Sequence, residues 1–438
     1  MLDLKLVRER TDSVRANLER RQDSGKLRLF DELVKDDKRL RELKVQVEAL
    51  RSERNRLTQE VSQLKKEGQE ASRVIAEASR VSEKIKSSEL ELVALEERVK
   101  ASLFRVPNLM HESVPYGKDD SENVEVRVWG TPRSFDFELK PHGEFLETAG
   151  MANFSKASEV SGAGFNYLLG GVAMLERALE QFALETLQGK GFTPVLPPVM
   201  LHRKPYEGVV DLGDFENVMY KIENEDLYLI ATSEHSMAAL YSNEVIPEEQ
   251  LPVKLVGVSP CFRKEIGSKN VDTRGLYRMH QFQKVEQFVF CHPEDSWRLH
   301  EELLANTEEL WQALEIPYRV VNICTGDLGT IAAKKYDIEA WMPRLGKYGE
   351  VASCSNCTDY QARRLNIRFG KYGGSKEFVH TLNQTAFPAS SRALLAVVEN
   401  YQNADGTIGV PKALQKYMGK VKKIEPVSLA AKGSKGKK

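Results

Sequence analysis

The chain has 438 residues, which is long enough for two or three domains and a large apolar core. Apolar residues make up 41% of it and charged residues 29%, as is typical of soluble proteins, and the formal net charge is only −1. This charge excludes a uniformly basic nucleic-acid-binding protein, so any contact with nucleic acid must come from local clusters of cations. No apolar run approaches the ~18 residues of a membrane-spanning helix, and the N-terminus lacks the apolar core of a signal peptide. Five cysteines, an odd number, fit a reducing compartment, and we expect a cytoplasmic protein.

A helical arm is predicted for residues 1–108. Residues 27–104 contain no proline and one glycine, Gly68. Apolar residues recur there every seven residues in two series, which is the pattern of a coiled coil. The series are Leu33, Leu40, Val47 and Val61 (interrupted by Arg54), then Leu43, Leu50, Leu57 and Leu64, with the rhythm resumed at Val74, Ala78, Val81, Ile85, Leu92, Leu95 and Val99. Two helices joined near Gly68 should pair as an antiparallel hairpin that ends at Pro107.

The role of this arm stays open on the heptad pattern alone, which favours a dimerisation coiled coil or a structural spacer. A rigid helical rod can also present cations to nucleic-acid phosphates, where charge neutralisation supplies affinity. Acidic residues are interleaved with the cations, which equally fits a solvated helix surface. The candidate phosphate-binding residues are Arg51, Arg54, Arg56, Lys65, Lys66, Arg73 and Arg80.

A linker is predicted over 109–135, followed by a globular domain over 136–424 and a flexible basic tail over 425–438. Helical periodicity over 168–187 precedes a short strand that ends at Pro197 and Pro198, and prolines favour the edge of a sheet. Strand-like runs then alternate with helices such as 296–314 and 392–403. We therefore expect an α+β domain built on a largely antiparallel sheet flanked by helices. The phosphate-binding glycine patterns of P-loop and Rossmann folds are missing from the sequence.

The first chemically suggestive segment is Thr232-Ser233-Glu234. It follows the apolar run 227–231 directly. A hydroxyl and a carboxylate at the end of a strand can bind the ammonium group and the side chain of an amino acid. Three residues alone carry almost no specificity, so the meaning of this segment depends on its neighbours.

The second segment, Cys261–Glu286, predicts a polar hairpin. Strand geometry puts Arg263 and Glu265 on one face, and a loop over 267–275 follows. On the return strand, one face carries an imidazole, an aromatic ring, a cation and an anion, and the other face begins at Met279. The residues of the first face are His280, Phe282, Lys284 and Glu286. Such a face suits a planar base, a phosphate and an ammonium group.

Two further segments complete the pattern. Tyr348–Cys357 contains a carboxylate and a hydroxyl three residues apart, Glu350 and Ser353. The same segment contains a Cys354-x-x-Cys357 pair, but a structural zinc site usually needs four ligands, so we expect buried thiols and no zinc. Finally, residues 380–385 (HTLNQT) precede Ser391-Arg392 at the start of an apolar helix.

These segments resemble the three motifs of the class II aminoacyl-tRNA synthetases, in the wording of the seryl-tRNA synthetases. The helix, strand and prolines match motif 1, Arg263-x-Glu265 with DTRGL (272–276) and the return strand match motif 2, and the segment ending at Arg392 matches motif 3. The resemblance covers essentially the whole chain, arm included. Two departures are that 383–392 is one residue longer than usual and that Gly349 stands where the family often has arginine.

The resemblance implies a homodimeric enzyme that activates serine with ATP and loads it onto tRNA(Ser), and onto tRNA(Sec) where present. It implies that the arm grips the tRNA. Serine would be bound by Thr232, Ser233, Glu234, Glu286 and Thr385. ATP would be bound by Arg263, Lys264, Glu265, Met279, Phe282, Glu350, Val351, Ala352, Ser353 and Arg392. Arg263 and Arg392 would be catalytic, and Mg²⁺ would be held by Glu350 and Ser353.

Two alternatives remain at this point. A related ligase could load an amino acid onto a carrier protein, but such relatives are expected to lack the arm. A coiled-coil binding protein could have kept an inactive synthetase body, but Arg263, Glu286 and Arg392 are all present. Serine-dependent exchange of pyrophosphate into ATP, together with a tRNA-charging assay, separates these functions.

Overall fold

The computed structural model describes residues 1–265, 275–371 and 373–427. Most of the predicted loop 267–275, with the first three residues of DTRGL, lies outside the described residues, as does the lysine-rich tail from 428. The chain divides into two compact units, Met1–Leu109 and Met110–Lys438. Within the described residues, no helix is both long enough and apolar enough to cross a membrane.

The first unit is helical. Its helices are α1 (Leu4–Glu9), α2 (Thr11–Glu19), α3 (Ser24–Lys66) and α4 (Ser72–Arg105). The apolar heptad residues of α3 and α4 face each other, and the best buried of them are Leu33, Leu40, Leu43, Val47, Leu57, Val81, Ile85, Leu95 and Val99. The predicted antiparallel coiled coil is confirmed.

A short turn reverses the chain between α3 and α4. The Gln69 N–H donates to the Leu64 carbonyl at 2.8 Å, and the Gly68 N–H donates to the Lys65 carbonyl at 3.3 Å. Gly68 has φ +69°, a left-handed conformation that glycine adopts without strain. These two bonds and this conformation form the Schellman motif, which satisfies carbonyls left over at the end of a helix.

Ion pairs run along the solvent side of the apolar seam. They link Arg39 to Glu91 at 2.8 Å, Lys44 to Glu96 at 2.7 Å, Arg51 to Glu89 at 2.8 Å and Arg98 to Asp36 at 3.0 Å. Most of these side chains are about half exposed, so each pair contributes about 1 kcal/mol or less to stability. The pairs reinforce an association that the apolar residues determine.

The second unit is built on one large sheet. In the described residues its strands follow the order β1-β8-β9-β10-β13-β7-β6-β2, and all neighbours are antiparallel except β2 and β6. The strands are β1 (Val124–Trp129), β2 (Thr193–Val195), β6 (Val253–Phe262), β7 (Gln281–Cys291), β8 (Tyr318–Asn322), β9 (Lys334–Met342), β10 (Lys347–Thr358) and β13 (His380–Phe387). The predicted largely antiparallel sheet with flanking helices is confirmed.

The two edge strands of this sheet, β2 and β1, each have a feature that is unusual in a central strand. β2 contains Pro194, which cannot donate a ladder hydrogen bond, and β2 is an edge strand, as the prolines predict. β1 forms the other edge and falls inside 109–135, for which the sequence predicts a linker. The alternating valines of β1 were a strand signal that the prediction of a linker overlooked, and in the structure these valines are about half exposed.

The remaining elements cover the sheet or extend its ends. The helices are α5 (His142–Thr148), α6 (Phe154–Ser161), α7 (Gly171–Gly189), α8 (Arg203–Val209), α9 (Leu212–Phe215), α10 (Ser233–Ala239), α11 (Ser296–Ala313), α12 (Tyr360–Leu365) and α13 (Arg392–Asn400). The short strands are β3 (Met200–Leu201), β4 (Tyr228–Leu229), β5 (Val245–Pro247), β11 (Arg368–Gly370), β12 (Lys376–Phe378), β14 (Ile408–Gly409) and β15 (Lys423–Ile424).

Strand β7 shows how the two faces of the sheet divide. Val285 and Val289 belong to the main core, which also contains apolar residues of α7, α11 and α13. On the opposite face, Phe288 and Phe290 pack with α10 and α12 in a second core. On the same face, the second core stops at the buried carboxylate of Glu286. A site can form where this apolar packing stops.

Candidate active site

A cavity opens where the second core ends. Side chains from β7, β10 and β13 and from the starts of α10 and α13 line it. The lining residues are Thr232, Glu234, Arg263, Glu265, Tyr277, Met279, Phe282, Lys284, Glu286, Glu350, Val351, Ala352, Ser353, Asn383, Thr385, Pro388, Ser391 and Arg392. Four segments that are remote along the chain therefore meet at one place, as the sequence predicts.

Two predicted contact residues, Ser233 and Lys264, lie outside this lining. Ser233 begins α10, and its fully buried hydroxyl packs against Gly257 of β6. Thr232 caps this helix by accepting from the Glu234 N–H at 3.3 Å, so adjacent residues turn in different directions. Lys264 directs its ammonium group toward the ring of Tyr220, 5.5 Å from the ring centroid.

The hairpin also deviates from ideal strand geometry. Strand β6 ends at Phe262, so Arg263 and Glu265 follow the strand instead of lying within it, yet both line the cavity. His280, predicted on the cavity face, precedes β7 and stacks on Phe165 with ring centroids 5.4 Å apart. Met279, predicted on the opposite face, lines the cavity. Side chains of the return strand therefore alternate between the two faces of the sheet, as predicted, only from Phe282 onward.

One end of the cavity is acidic. Glu234 Oε1 accepts hydrogen bonds from the side-chain amides of Gln361 and Asn383, each at 3.1 Å. Burial and the Glu286 carboxylate raise the pKa of Glu234 to about 7, although Lys284, the Gln361 amide and Arg263 act in the opposite direction. Because a bound cation favours the ionised form of a carboxyl group, Glu234 should lose its proton completely when a cation binds next to it.

Glu286 lies at the same end, beside a buried lysine. Lys284 Nζ is 2.6 Å from Glu286 Oε2, and the two side chains are 7% and 1% exposed. The contact is a close ion pair without hydrogen-bond alignment, because Oε2 has no aligned donor. Lys284 also donates to the Thr385 hydroxyl at 3.5 Å. A buried charge is costly unless it is compensated, so each of these two residues depends on the other.

The other end of the cavity is cationic and aromatic. The Arg263 guanidinium lies 5.3 Å from the ring centroid of Phe282, and that of Arg392 lies 5.0 Å from Tyr277. Arg392 also pairs with Glu350, with Nη1 to Oε1 at 3.1 Å. Flat guanidinium groups next to aromatic rings form a surface on which a planar base can stack.

Glu350 and Ser353 supply the oxygens that the sequence predicts for Mg²⁺. Burial alone would raise the pKa of Glu350, but Arg392, Lys335 and Arg263 outweigh it and lower the pKa to about 2. The Ser353 hydroxyl lies 3.4 Å from Glu350 Oε1. A permanently ionised carboxylate beside a hydroxyl, both facing the cavity, fits a hard cation that takes few protein oxygens.

A buried histidine fixes the segment that leads into β7. His142 Nε2 accepts from the Leu276 N–H at 3.0 Å, so its Nδ1 carries the proton that faces Glu399 Oε1 at 3.1 Å. Gly275 has φ +148°, and a side chain at this position would collide with the His142 ring. This contact holds Tyr277 next to α13, the helix that begins with Arg392.

Comparisons with known proteins identify the family of this chain. Residues 1–110 match the family model "Seryl-tRNA synthetase N-terminal domain", and residues 218–401 match "tRNA synthetase class II core domain (G, H, P, S and T)". The serine–tRNA ligase of Methanospirillum hungatei is 55% identical over 420 residues, which are 95% of this chain and 99% of that protein. The chain belongs to the seryl-tRNA synthetase family.

Solved structures of seryl-tRNA synthetases give the same result. The enzyme from Pyrococcus horikoshii, complexed with ATP, has a TM-score of 0.92 at 47% identity, covering 98% of this chain and 100% of that one. The cytoplasmic enzyme of Naegleria fowleri, in complex with AMP, has a TM-score of 0.87 at 33% identity, covering 98% and 99%. The predicted family and fold are confirmed.

A β-bulge lies within the segment from Asn383 to Arg392. In the pairing of β13 with β7, Thr385 lies opposite Glu286 and Phe387 lies opposite Val285. Ala386 is therefore bulged out of the register. The bulge follows Thr385, which pairs with Glu286 in register and lines the cavity.

Several lining residues were missed among the predicted contacts of this seryl-tRNA synthetase family member. They are Tyr277, Asn383, Pro388 and Ser391. A signal existed for Asn383, which lies two residues before Thr385 on the same face of β13. Lys284, also in the lining, was predicted on the cavity face of the hairpin but was given no contact of its own.

The predicted cations of the arm fall into two groups. Lys65, Lys66, Arg73 and Arg80 are exposed near the turn, and the described residues offer them no carboxylate within ion-pair distance. The others have local partners: Arg51 pairs with Glu48 and Glu89, Arg56 pairs with Glu60, and Arg54 contacts Asn55. Cations without such partners are the better candidates for phosphate contacts.

The two thiols of the CxxC pair are buried in the sheet. Burial raises the pKa of Cys354 and of Cys357 well above the usual thiol value. Asn383 donates to the Cys357 sulfur at 3.8 Å. Both thiols are thus neutral, packed groups of the core.

Proposed function

We propose that the cavity activates serine with ATP and that the chain then transfers the seryl group to the 3′ end of tRNA(Ser). One observation carries this proposal: two carboxylates, Glu234 and Glu286, and two guanidinium groups, Arg263 and Arg392, line the same cavity. The carboxylates suit an ammonium group and the guanidinium groups suit phosphates. An amino acid and a nucleotide can therefore lie side by side.

Serine would occupy the acidic end. Glu234 and Glu286 would hold its ammonium group, and Thr232 and Thr385 are within the same lining to meet its hydroxyl. A pocket that hydrogen-bonds the substrate hydroxyl rejects alanine, since polar groups of the pocket would be left unpaired. Threonine would be excluded by the volume of its extra methyl group.

ATP would occupy the cationic end. Phe282 and Arg392 would flank the adenine, Glu265 would accept from its amino group, and Arg263 would bind the α-phosphate. Met279, Val351 and Ala352 would complete the apolar contacts. When bound, Mg²⁺ would neutralise phosphate charge, and Glu350 and Ser353 would hold it.

The reaction needs orientation more than covalent help from the protein. A carboxylate oxygen of serine forms a bond to the α-phosphorus while the bond to the β-phosphate oxygen breaks, and pyrophosphate leaves. A ribose hydroxyl of the tRNA then attacks the acyl carbon, the acyl–phosphate bond breaks, and AMP leaves as the hydroxyl loses its proton. Arg263 would stabilise the charge that develops on the α-phosphate in the first step.

The tRNA would be gripped by the arm. The exposed cations Lys65, Lys66, Arg73 and Arg80 support this role, because helical RNA is bound mainly through its shape and backbone. tRNA(Sec) would be a second substrate where it exists. Arg51, Arg54 and Arg56 would contribute less, since their charges have local partners.

A homodimer in the cytoplasm is the proposed working form. Three large apolar side chains on α7, β3 and the segment between β2 and β3 are exposed, namely Met174 (53%), Leu196 (87%) and Met200 (41%). A second copy of the chain would cover them. Light scattering coupled to size-exclusion chromatography measures this state, and a monomer at micromolar concentration contradicts the proposal.

Pyrophosphate exchange tests the function. The chain should exchange labelled pyrophosphate into ATP with serine and not with alanine, threonine or glycine, and it should charge tRNA(Ser). Exchange that does not depend on serine contradicts the proposal, and exchange without tRNA charging favours a ligase that acts on another acceptor.

A further inference from the structure

A buried glutamine lies directly behind the acidic end of the cavity. Gln361, on α12, has no exposed surface and does not belong to the cavity lining. Its Nε2 donates to Glu234 Oε1 at 3.1 Å and to the Val209 carbonyl at 3.3 Å, and its Oε1 accepts from the Thr381 hydroxyl at 2.7 Å. Because a backbone carbonyl and an ionised carboxylate only accept, the contacts with Val209 and Glu234 together determine which way the amide points.

One face of β13 connects this amide to the cavity. Thr381, Asn383 and Thr385 are spaced by two residues and share that face. Thr385 lines the cavity, Asn383 donates to Glu234, and Thr381 holds Gln361 in place. The strand therefore provides a continuous row of polar contacts, from the cavity to a position that no substrate reaches.

Both amide donors use the same oxygen of Glu234. Gln361 and Asn383 each donate to Oε1, and no hydrogen bond from the described residues reaches Oε2. The protein thus fixes one oxygen of the carboxylate and leaves the other for a ligand. A carboxylate fixed in advance loses less conformational entropy when the ligand binds.

We propose that Gln361 is a positioning residue for serine: it orients the Glu234 carboxylate toward the substrate ammonium group without touching the substrate. This inference rests on the proposed function, in which Glu234 binds that ammonium group. It assigns a role to a residue that lies outside the cavity and outside the predicted contacts.

The amide also favours the charged form of Glu234. Burial and Glu286 disfavour that form, and the pKa of Glu234 is about 7, so removal of one donor raises the pKa further. The thiol and phenol nearby keep raised pKa values and stay neutral. The titratable and charged groups that act on Glu234 or are acted on by it are Glu286, Lys284, Arg263, Cys357 and Tyr206.

The test is Gln361→Met, which keeps the volume and removes the amide. Serine-dependent pyrophosphate exchange is measured from about pH 6 to about pH 9, a range that spans the titration of a carboxyl group shifted this far. Near pH 7 the KM for serine should rise about tenfold, as expected when a charged group is deprived of one hydrogen bond, while the KM for ATP is unchanged. The serine KM falls as Glu234 loses its proton, and because the pKa of Glu234 is higher in the variant, this fall should occur at higher pH. The ratio of the variant's serine KM to that of the wild type should therefore decrease toward pH 9.

Gln402→Met is the matched control. Gln402 is also a buried glutamine with two hydrogen bonds, to the backbone of Lys140, and it lies outside the cavity lining. This variant should lose stability without changing the serine KM or its pH dependence. If loss of stability alone were responsible, Gln361→Met and Gln402→Met would change the serine KM in the same way.

Thr381→Val is a second variant that keeps the amide but removes the hydroxyl that holds it. It should raise the serine KM in the same direction and by less. A wild-type serine KM and pH dependence in both Gln361→Met and Thr381→Val would overturn this inference while leaving serine activation intact. No serine-dependent exchange by the unaltered chain would instead overturn the proposed function, and this inference with it.

Discussion

The arm and the cavity use the same kinds of residues in opposite ways. In the arm, apolar side chains form the contact between α3 and α4, and the ion pairs lie outside it, about half exposed. In the cavity, the charges are inside: Lys284 and Glu286 are less than one-tenth exposed. Solvent screens the charges on the arm, whereas a charge buried in the cavity destabilises the fold unless a neighbouring group compensates it. Removal of one charge should therefore have very different consequences in the two regions.

The most severe effect is expected at Arg263. Arg263→Ala should lower serine-dependent pyrophosphate exchange by roughly 10³-fold or more, because the charge that develops on the α-phosphate loses its nearest cation. Arg298→Ala, on an exposed part of α11, is the control and should keep normal exchange. Near-normal exchange by Arg263→Ala would refute its phosphate role.

The buried pair should respond to removal of one partner. Lys284→Met leaves the Glu286 carboxylate uncompensated, so the free energy of unfolding should fall by about 3–5 kcal/mol in urea titrations. The double variant Lys284→Met/Glu286→Gln should recover much of this stability while remaining inactive in exchange. An additive destabilisation in the double variant would mean that the two charges are independent.

Cations near the arm turn should affect only the RNA step. Replacement of Lys65, Lys66, Arg73 and Arg80 by alanine should raise the KM for tRNA and leave pyrophosphate exchange unchanged. The slope of log affinity against log salt should fall by about 1 for each RNA phosphate that the variant no longer neutralises. Arg51→Ala should have less effect, because that guanidinium already pairs with Glu48 and Glu89. If tRNA charging is unaffected when all four cations are replaced, the arm has a structural role only.

The smallest effect is expected at an ion pair of the arm. Arg39→Ala should lower the free energy of unfolding of the arm by about 1 kcal/mol or less, since Arg39 and Glu91 are both about half exposed. Glu91→Ala is its partner variant, and the double variant completes a thermodynamic cycle. A coupling as large as that of Lys284 and Glu286 would contradict the contrast between the two regions.

The two regions also differ in how far the sequence predicts them. The coiled coil is local: Leu40 and Val47 are seven residues apart and share one seam, so periodicity alone reveals it. The cavity is assembled from remote segments, and only the family resemblance indicated that Glu234 and Arg392 lie together. Ser233 is adjacent to Thr232 and Glu234 in sequence, but its hydroxyl turns into the core at the start of a helix and does not line the cavity. The contacts of Gln361 depend on tertiary packing, which no spacing rule encodes.

The pairing of Lys284 with Glu286 has a consequence for what can enter the cavity. A free amino acid carries one positive and one negative group, the same composition as this internal dipole. The ammonium group of such a zwitterion can pair with Glu286 and its carboxylate with Lys284, so the net charge buried in the cavity does not change. Serinamide, which has an ammonium group but no carboxylate, would bring in an unbalanced charge, and we expect it to inhibit exchange weakly for that reason alone.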